Sequence, residues 1–474
     1  MGLQNVKNIR INSKIVASGD IFVGILCDNF TEHVEEARRN GASIIFIDRA
    51  AAEKVSNGKE IIIVDDTRLL SSRFAKFLNS EQPEYCVAIT GTNGKSSVAH
   101  FIRQFWTIHG KKAANLGTVG LFVNDELVMQ IGNIQIPKLT TPDPFSLHKI
   151  LASLQSIGVS HFVFEASSHA LHQKRLHSVS ISAAAFTNLA SDHLDYHRSK
   201  EEYFNAKLNL FREILDSNLP AIVSRDYEFL YESIAQYNKN IITFGMNDKN
   251  CITAKNIRNY FDCMIFNLTI DGYIFKDIEI KLMGDFQLMN LMCAASIAYC
   301  GGLSANDIVD TLSKIRELQG RMELVLEYRE IRIYIDYAHT SSAFESALSE
   351  FKKICSGRLI CVFGCGGDRD KSKRIEMGKI ADRLADIAII TDDNPRTEEP
   401  AFIRSEILDG CKDAIEIGDR KLAIKFAISI AKAGDCVIIL GKGHESTQIC
   451  GTTSFAHDDK KEILVTVNQM ESKT

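Results

Sequence analysis

The sequence lacks a net positive charge and long apolar stretches, and these absences exclude two classes of protein. Its 474 residues carry a formal net charge of −5, so no global basic field favours a nucleic-acid partner. No run of about 18 apolar residues is available to span a membrane, and the N-terminal region lacks the continuous apolar segment of a signal peptide. We therefore expect a cytoplasmic protein without membrane insertion.

A regular cysteine framework is also missing. The twelve cysteines are scattered, and a chain of this length does not need disulfides, so we interpret them as thiols. Cys361 and Cys365 are close in sequence, but no second cysteine or histidine pair lies at zinc-site spacing around them. Packing is the preferred interpretation of this pair, and no metal site is predicted there.

The composition is that of a folded multidomain protein. Hydrophobic residues make up 45% of the chain and charged residues 24%, and the length suggests about two to four domains. We predict three domains, covering residues 1–82, 83–319 and 320–474. The polar segment Asn79–Pro83 marks the first boundary.

Short apolar segments alternate with helical ones along most of the chain, which predicts an α/β fold with a mostly parallel sheet covered by helices. Helices are predicted at 32–40, 69–78 and 97–108. A stretch of antiparallel strands is predicted over 252–282, with a turn at Asp271-Gly272. Buried strands are predicted at 162–164, 183–186 and 221–223. Further short apolar segments or strands are predicted at 21–25, 44–47, 61–64, 86–89, 331–335, 359–363, 387–391 and 437–440.

The segment from Thr90 to Ser97, TGTNGKSS, has the features of a phosphate-binding loop. It lies between a predicted strand and a predicted helix, the order that such a loop requires. Glycines allow backbone N–H groups to converge on phosphate oxygens, Lys95 supplies a positive charge, and a following hydroxyl can coordinate magnesium. The standard pattern has a glycine where this chain has Ile89, so the loop is a variant. The alternative is an ordinary surface turn.

Three further polar residues come near the ends of predicted elements of the same sheet. Glu165 is predicted to follow a strand directly, His193 lies in a polar cluster after another strand, and Lys207 is predicted to lie on a helix. Taken singly, a loop histidine or a surface lysine is the more common interpretation. Because the carboxyl ends of parallel strands share one edge, we expect the phosphate loop, Glu165 and His193 to face one crevice.

The last third of the chain has its own polar clusters after strands. Gly364–Lys371 includes Arg369, and Asp392–Arg396 ends in a second arginine. Two arginines at adjacent strand ends are suited to bind carboxylates through paired hydrogen bonds, although a solvated loop charge is an equally good interpretation of either alone. Gly441–Glu445 follows the last strand and completes a polar rim.

In order and spacing, these motifs resemble those of the Mur ligases of peptidoglycan synthesis, most closely the members that add diaminopimelate. The resemblance covers nearly the whole chain. The motifs that carry it are TGTNGKS from Thr90, Leu116–Gly120, Glu165 with Ser167–His169, Asp192–His197, Gly320–Glu323, Asp336–His339, Gly364–Asp370 and Asp393–Arg396.

The resemblance implies a three-domain Mur ligase architecture, with a domain for the uridine nucleotide, a central P-loop ATPase domain and a C-terminal Rossmann-like domain. It also implies that ATP phosphorylates the free carboxylate of UDP-N-acetylmuramoyl-L-alanyl-D-glutamate, and that the amine of meso-2,6-diaminopimelate then attacks the acyl phosphate. ATP is thus a substrate and Mg²⁺ a cofactor. These small molecules are the expected partners of a monomeric enzyme.

The resemblance also assigns roles to residues of this chain. Lys95, Glu165, His193 and Lys207 are implied to be catalytic, with Ser96 and Glu165 on one magnesium, and His193 with a carbamylated Lys207 on a second. The ATP site is implied to comprise Gly91, Thr92, Asn93, Gly94, Lys95, Ser96, Ser97, Asn290, Arg321 and Asp336. The residues implied to bind the muramoyl-dipeptide nucleotide are Ser13, Thr140, Thr141, Ser167, Gln173 and Arg175. The residues implied to bind diaminopimelate are Arg369, Asp393, Asn394, Pro395, Arg396, Gly441 and Glu445.

Three alternatives to this function differ in what they predict. A folylpolyglutamate synthase shares the ATPase and C-terminal architecture but lacks a first domain like residues 1–82. A lysine-adding ligase lacks the arginine of the Asp393–Arg396 motif. A catalytically silent protein of the same fold has no need to keep Lys95, Glu165, His193 and Lys207.

Overall fold

The structure is a computed structural model that describes residues 8–56, 58–193, 196–260 and 263–472. It is a mixed α/β fold in which three sheets follow one another along the chain, each packed against helices. In these described ranges, no helix combines the length and the apolar character needed to cross a membrane. The helices are α1 (Phe30–Arg39), α2 (Thr67–Leu78), α3 (Lys95–Ile108), α4 (Pro144–Ser156), α5 (Ser168–His172), α6 (Lys200–Asn209), α7 (Glu228–Ala235), α8 (Asp285–Cys300), α9 (Ala305–Leu312), α10 (Ser341–Ile354), α11 (Ser372–Leu384), α12 (Pro400–Leu408), α13 (Arg420–Ile430) and α14 (Asp459–Glu471).

The first sheet is small and parallel, with its strands in sequence order. Its apolar residues pack with those of α1 around Phe22, Phe30 and Val34. Gly41, predicted to cap the first helix, lies directly after the C-cap Asn40 with a φ of +88°, a conformation that favours glycine. The strands are β1 (Ile9–Arg10), β2 (Ile21–Val23), β3 (Ile44–Asp48) and β4 (Ile61–Val64).

The central sheet is parallel in its middle and antiparallel at both ends. Its order is β17-β16-β15-β14-β13-β12-β5-β11-β6-β7-β8, and the run from β15 to β6 is parallel. The predicted antiparallel stretch is confirmed as β15 to β17, which extend this sheet directly. The strands are β5 (Tyr85–Thr90), β6 (Ala113–Gly117), β7 (Gly120–Val123), β8 (Glu126–Val128), β11 (His161–Glu165), β12 (Ala183–Phe186), β13 (Ala221–Ser224), β14 (Ile241–Gly245), β15 (Ile252–Asn259), β16 (Met264–Ile270) and β17 (Tyr273–Ile280); β9 (Gln130–Ile131) and β10 (Ile134–Gln135) form a separate hairpin.

The third sheet, in the last third of the chain, is parallel except at one edge. Its order is β18-β19-β23-β20-β21-β22, and only the pair β18 and β19 is antiparallel within the described residues. The strands are β18 (Glu323–Tyr328), β19 (Ile331–Asp336), β20 (Leu359–Phe363), β21 (Ile387–Ile390), β22 (Ile415–Glu416) and β23 (Cys436–Leu440), followed by a hairpin of β24 (Thr447–Cys450) and β25 (Thr453–Ala456).

Separate apolar cores cover the two faces of each large sheet. In the central sheet, α3 and α8 pack on one face, with Phe101, Phe105 and Leu291 fully or almost fully buried. Leucines of α4 and the phenylalanines of β11 fill the other face. Because helices cover both faces, ligands can reach this sheet only at its edges and at the ends of its strands.

Candidate active site

The phosphate loop turns sharply from β5 into α3, and its two glycines are required by close neighbours. Gly91 has a φ of +140° and Gly94 a φ of +83°, both in the region that favours glycine. A Cβ atom on Gly91 would overlap the Thr187 hydroxyl, and one on Gly94 would overlap Asn290 Oδ1. The loop backbone is therefore in direct contact with the loop after β12 and with α8.

Two lysines converge on a single carbonyl of this loop. The Lys95 Nζ atom lies 2.9 Å from the carbonyl oxygen of Gly91 and 2.8 Å from that of Thr92, and the Lys207 Nζ atom lies 2.7 Å from the carbonyl oxygen of Gly91. Burial lowers the pKa of both amines, and the charge of Lys95 lowers the pKa of Lys207 further. Two lysines that the sequence singled out separately thus meet at one carbonyl, where burial and the charge of Lys95 disfavour the charged form of Lys207.

Glu165 is the last residue of β11, where the sequence placed it just after the strand, and it is almost fully buried. Its Oε1 atom accepts from Ser96 Oγ at 2.7 Å and from the Thr118 backbone N–H at 2.9 Å. A Cβ atom on Gly117 would overlap this carboxylate. In the described parts of the chain, Glu165 has no ion-pair partner within 4 Å, which is unusual for a buried carboxylate.

His193 lies on the loop after β12 and has a φ of +54°, a strained conformation for a residue other than glycine. Its ring packs edge-on against His169, with centroids 4.9 Å apart. The neighbouring Asp192 begins the Asp192–His197 motif, but no role was assigned to it from the sequence. Its charge acts on both Lys95 and Lys207, raising the pKa of each against the effect of burial. Asp192 is a carboxylate that follows a predicted strand, and this position could have identified it from the sequence.

A cavity of 220 Å³ opens between the phosphate loop and the start of the third sheet. It combines polar and apolar walls, as a nucleotide pocket does. Six residues predicted to bind ATP line it, namely Asn93, Gly94, Ser97, Asn290, Arg321 and Asp336. Five further wall residues were not predicted from any sequence motif, namely Tyr227, Phe244, Phe286, Gln287 and Met289.

The residues predicted for the muramoyl dipeptide meet beside Glu165. Thr141 Oγ1 donates to the Glu165 backbone carbonyl at 2.7 Å, and Arg175 donates to the Thr141 carbonyl at 2.7 Å and to Gln173 Oε1. Thr140 reaches the same place through Thr118, with 3.0 Å between the two hydroxyls. Ser167 caps α5 and lies 3.1 Å from the Thr141 hydroxyl.

Ser13 lies apart from this cluster, in the first sheet region. It is buried, and its hydroxyl donates to Glu36 Oε2 at 2.5 Å. Its backbone carbonyl accepts from Asn40 Nδ2 at 3.0 Å. The structure thus connects Ser13 to α1 and not to the residues around Glu165.

A second cluster of polar groups, which we call the Arg396 pocket, lies where β20, β21 and β23 of the third sheet end. Arg396 donates to the Gly367 carbonyl at 2.7 Å, and both Arg396 and Arg369 flank Gly366. Further members predicted for diaminopimelate meet here, since a Cβ atom on Gly441 would lie 2.8 Å from the Asp393 carboxylate. The complete pocket comprises Gly366, Arg369, Asp393, Asn394, Pro395, Arg396, Gly441 and Glu445.

The hairpin of β24 and β25 closes this pocket, and the sequence analysis missed it. The Arg396 backbone N–H donates to the Ile449 carbonyl at 3.1 Å, and the Gly451 N–H donates to the Arg396 carbonyl at 2.6 Å. Gln448 donates to the Asp393 carbonyl at 2.7 Å. The hairpin therefore adds a strand beside the Asp393–Arg396 motif.

A stack of side chains connects the cavity to the Arg396 pocket. The Arg321 guanidinium lies 4.4 Å above the Tyr337 ring, and that ring lies 5.1 Å from the ring of His444, the neighbour of Glu445. Asp336 accepts from the backbone N–H groups of Met322 and Ala338. These bonds hold the residues next to Arg321 and Tyr337 in place. The two sites thus share one wall.

With this geometry established, we compared the chain with known proteins. The Mur ligase middle domain matches residues 89–298, and the Mur ligase glutamate ligase domain matches residues 320–443. A UDP-N-acetylmuramoyl-L-alanyl-D-glutamate–2,6-diaminopimelate ligase of Agrobacterium fabrum is 39% identical over 99% of this chain and 95% of its own length.

Solved structures agree with this assignment. A structure of a UDP-N-acetylmuramoyl-L-alanyl-D-glutamate–2,6-diaminopimelate ligase is 30% identical and superposes with a TM-score of 0.68, covering 98% of this chain and 95% of its own. A Mycobacterium tuberculosis folylpolyglutamate synthase has a TM-score of 0.64 at 16% identity, covering 92% of its own chain but only 79% of this one. The latter shows the fold alone. The chain belongs to the Mur ligase family, among its UDP-N-acetylmuramoyl-L-alanyl-D-glutamate–2,6-diaminopimelate ligases.

Proposed function

We propose that the protein is an ATP-dependent ligase that joins meso-2,6-diaminopimelate to UDP-N-acetylmuramoyl-L-alanyl-D-glutamate. The observation that carries this proposal is the likeness, over almost the full length, to ligases named for that reaction. The geometry supports it, because a phosphate loop and a two-arginine pocket share the wall formed by Arg321 and Tyr337. ATP would occupy the cavity and the amino acid the Arg396 pocket.

The reaction brings together polyanions, so cations must face them. The terminal phosphoryl group of ATP passes to the D-glutamate carboxylate and forms an acyl phosphate. The amine of diaminopimelate attacks the acyl carbon, a tetrahedral intermediate forms, and phosphate leaves as the amide is completed. Lys95 donates only to carbonyls of the loop in this structure. It would turn toward the bound phosphates, whose negative charge would raise its lowered pKa.

The residues around Glu165 fit a magnesium ion. Ser96 and Glu165 present a hydroxyl and a carboxylate 2.7 Å apart, and magnesium prefers such hard oxygen ligands. In the described chain, no group of three His, Cys, Asp or Glu side chains is arranged to hold a metal. That agrees with an ion that takes its other oxygens from ATP. Bound magnesium would neutralise charge on the phosphates.

Lys207 has the properties of a lysine that becomes carbamylated. Burial and the nearby Lys95 lower its pKa, so its amine is neutral at a less alkaline pH than that of a solvated lysine. A neutral amine attacks the carbon of CO₂, a nitrogen–carbon bond forms and one proton is lost, which leaves an anionic carbamate. That group would supply oxygen ligands, with His193, for a second magnesium.

The cluster of Thr140, Thr141, Ser167, Gln173 and Arg175 would hold the muramoyl dipeptide. Its hydroxyl, amide and guanidinium groups suit sugar and carboxylate oxygens, and they lie beside Glu165, where the acyl phosphate must form. Ser13 would contact the uridine diphosphate from the first sheet.

We also propose the domain limits 1–82, 83–319 and 320–474, a monomeric state and a cytoplasmic location.

Arg396 would select diaminopimelate over lysine. Diaminopimelate has a second carboxylate, which Arg396 and Arg369 can bind, and a distal ammonium, which can donate a hydrogen bond to Glu445. Lysine lacks that carboxylate and would leave Arg396 unpaired. The two arginines flank Gly366, where no side chain obstructs them.

The direct test is a ligation assay with purified protein, ATP, Mg²⁺ and the UDP-muramoyl dipeptide. Diaminopimelate and L-lysine are offered in parallel, and the product is identified by mass while phosphate release is followed. We expect phosphate release that requires both organic substrates, and a product that contains diaminopimelate. A preference for lysine would reassign the amino acid, and no release with either would favour a silent protein of the same fold.

A further inference from the structure

Lys442 is a buried lysine to which the proposed reaction assigns no role. It follows Gly441 after β23, and its side chain is fully inaccessible to solvent. A buried ammonium is costly unless its protons are donated. Its Nζ atom donates to Asn394 Oδ1 at 3.0 Å, to the Thr447 carbonyl at 2.8 Å and to Glu445 Oε2 at 3.3 Å. The three protons therefore have three acceptors.

One of these contacts sets the orientation of the Asn394 amide. Asn394 Oδ1 accepts from Lys442 and from the Ile449 backbone N–H at 2.9 Å, and both of those groups can only donate. A flipped amide would place its own N–H groups against two donors. Asn394 Nδ2 must point the other way, where it donates to Glu445 Oε2 at 2.9 Å.

The same arrangement holds the Glu445 carboxylate by one oxygen. Asn394 and Lys442 both bond to Oε2, whereas Oε1 accepts no hydrogen bond from the described residues. The Glu445 side chain remains 31% exposed. Its second oxygen is thus held in a fixed direction at the pocket surface, as binding of a ligand cation requires.

The contact with Thr447 extends the effect of Lys442 to the hairpin. Thr447 is the first residue of β24, the strand that lies beside Arg396. The second strand of the hairpin ends beside Thr447, which pairs with Ala456. There His457 bonds to Asp459 at 2.8 Å, and Asp459 forms a fully buried ion pair with Arg420. Lys442 therefore attaches the first strand at this base of the hairpin, at the point where the hairpin meets Asn394 and Glu445.

We propose that Lys442 is a positioning residue for the incoming amino acid. Its ammonium holds Asn394, Glu445 and the hairpin in the arrangement that receives the distal ammonium and carboxylate of a diamino dicarboxylate. Because Lys442 is inaccessible, it acts through these neighbours and does not touch the substrate. The inference deepens the proposed function and rests on it.

The test is Lys442→Met, which keeps the apolar stem and removes the ammonium. We expect the KM for diaminopimelate to rise at least about tenfold, because hydrogen bonds of a charged group are lost. The KM for ATP should change less than about twofold, since Lys442 does not line the ATP cavity. Lys421→Met is the matched control, because it removes an exposed lysine paired with Glu462 on the same sheet's helices.

A double substitution separates positioning from general support of the fold. If Lys442 acts through Glu445, Lys442→Met combined with Glu445→Gln should raise the KM no further than the more severe single change. Effects that multiply would overturn the proposal. An equal rise for ATP and diaminopimelate, or an unchanged KM for diaminopimelate, would also overturn it.

Folding is checked by circular dichroism and by ATP binding. If Lys442→Met does not fold, Lys442→Gln, which keeps a donor, takes its place, with the same KM outcomes expected and the same outcomes overturning the proposal. The wild type is assayed first. A wild type that cannot use diaminopimelate refutes the proposed function, whereas an active wild type with unaffected variants refutes only the role of Lys442.

Discussion

The phosphate crevice, which we define as the loop from Gly91 to Ser97 with Glu165 and Lys207, is built differently from the Arg396 pocket. In the crevice, Gly91 follows β5 and Glu165 ends β11, so adjacent strands of one buried sheet place both. In the Arg396 pocket, the strand ends are completed by a hairpin that begins about fifty residues after Arg396 in sequence. The first site is positioned by regular structure, and the second depends on later packing.

If the crevice is positioned by the sheet, removing a functional side chain should abolish chemistry without unfolding the protein. We predict that Lys95→Ala lowers kcat by about 10³-fold or more, because a cation is lost where phosphoryl charge develops. The Lys95 amine contacts only loop carbonyls, so the melting temperature should change little. Phosphate release and thermal unfolding measure the two effects.

Lys200→Ala is the control for this change, since Lys200 is an exposed lysine at the start of α6. Activity should be retained in that variant. Substantial turnover by Lys95→Ala would contradict the assignment of the phosphate loop.

A backbone position in the crevice offers a sharper test of how rigidly the sheet holds Glu165. In Gly117→Ala, the new methyl group would overlap the Glu165 carboxylate and displace it. We predict a loss of about 10²-fold in kcat, the usual cost of a displacement of about 1 Å in an active site. The dependence of the rate on Mg²⁺ concentration should shift to higher concentrations as well.

Gly301→Ala is the matched control, because the nearest atoms there lie at the ordinary distance of 3.4 Å. Normal Mg²⁺ dependence in Gly117→Ala would mean that Glu165 is not held against Ser96 for the metal.

The same contrast explains what the sequence predicted. The strands 183–186 and 359–363 were predicted with the observed limits, because buried parallel strands are short apolar runs between turn signals. The strand 61–64 also has its predicted limits, although it lies at the edge of the first sheet and is partly exposed. Glu165 was misplaced by one position, since the sequence does not show where a ladder of hydrogen bonds ends. Pairing with β5 extends the strand through Glu165.

The hairpin at 447–456 was missed for a physical reason. All four residues of β25 are exposed, and β24 is only half-buried, so neither strand has a buried apolar face. Its position is fixed instead by contacts with Arg396, which is distant in sequence, and with the buried Lys442 just before the hairpin. Lys442 was given no role of its own within the predicted Gly441–Glu445 segment, because burial cannot be read from one residue type.

The Arg396 pocket should respond to substitution in a more selective way than the crevice. We predict that Arg396→Ala raises the KM for diaminopimelate by about 10- to 100-fold, because a paired guanidinium–carboxylate contact is lost. The KM for ATP should be nearly unchanged, as Arg396 does not line the cavity. Steady-state kinetics with each substrate varied in turn measure both constants.

Arg383→Ala serves as the control, because Arg383 is an exposed arginine on α11 that pairs with Glu345. Equal effects of Arg396→Ala on both substrates would point to a disturbed fold and not to recognition.

The smallest effect is a pH dependence that belongs to the crevice alone. Lys207 has a pKa well below its ordinary value, with burial as the main cause and the charge of Lys95 second. Between this lowered pKa and about 10.5 the unfolded chain binds the proton and the folded chain does not, so stability should rise with pH in that window. One such group contributes at most about 1.4 kcal/mol per pH unit.

We therefore predict that Lys207→Met flattens the rise of the free energy of unfolding between neutral and alkaline pH. Urea unfolding in CO₂-free buffers at several pH values measures it, with Lys200→Met as the control that should keep the wild-type slope. A slope unchanged in Lys207→Met would mean that the amine is charged in the folded protein. Its reaction with CO₂ would then lack the neutral amine that it requires, and the crevice would depend on Lys95 and Glu165 without a carbamate.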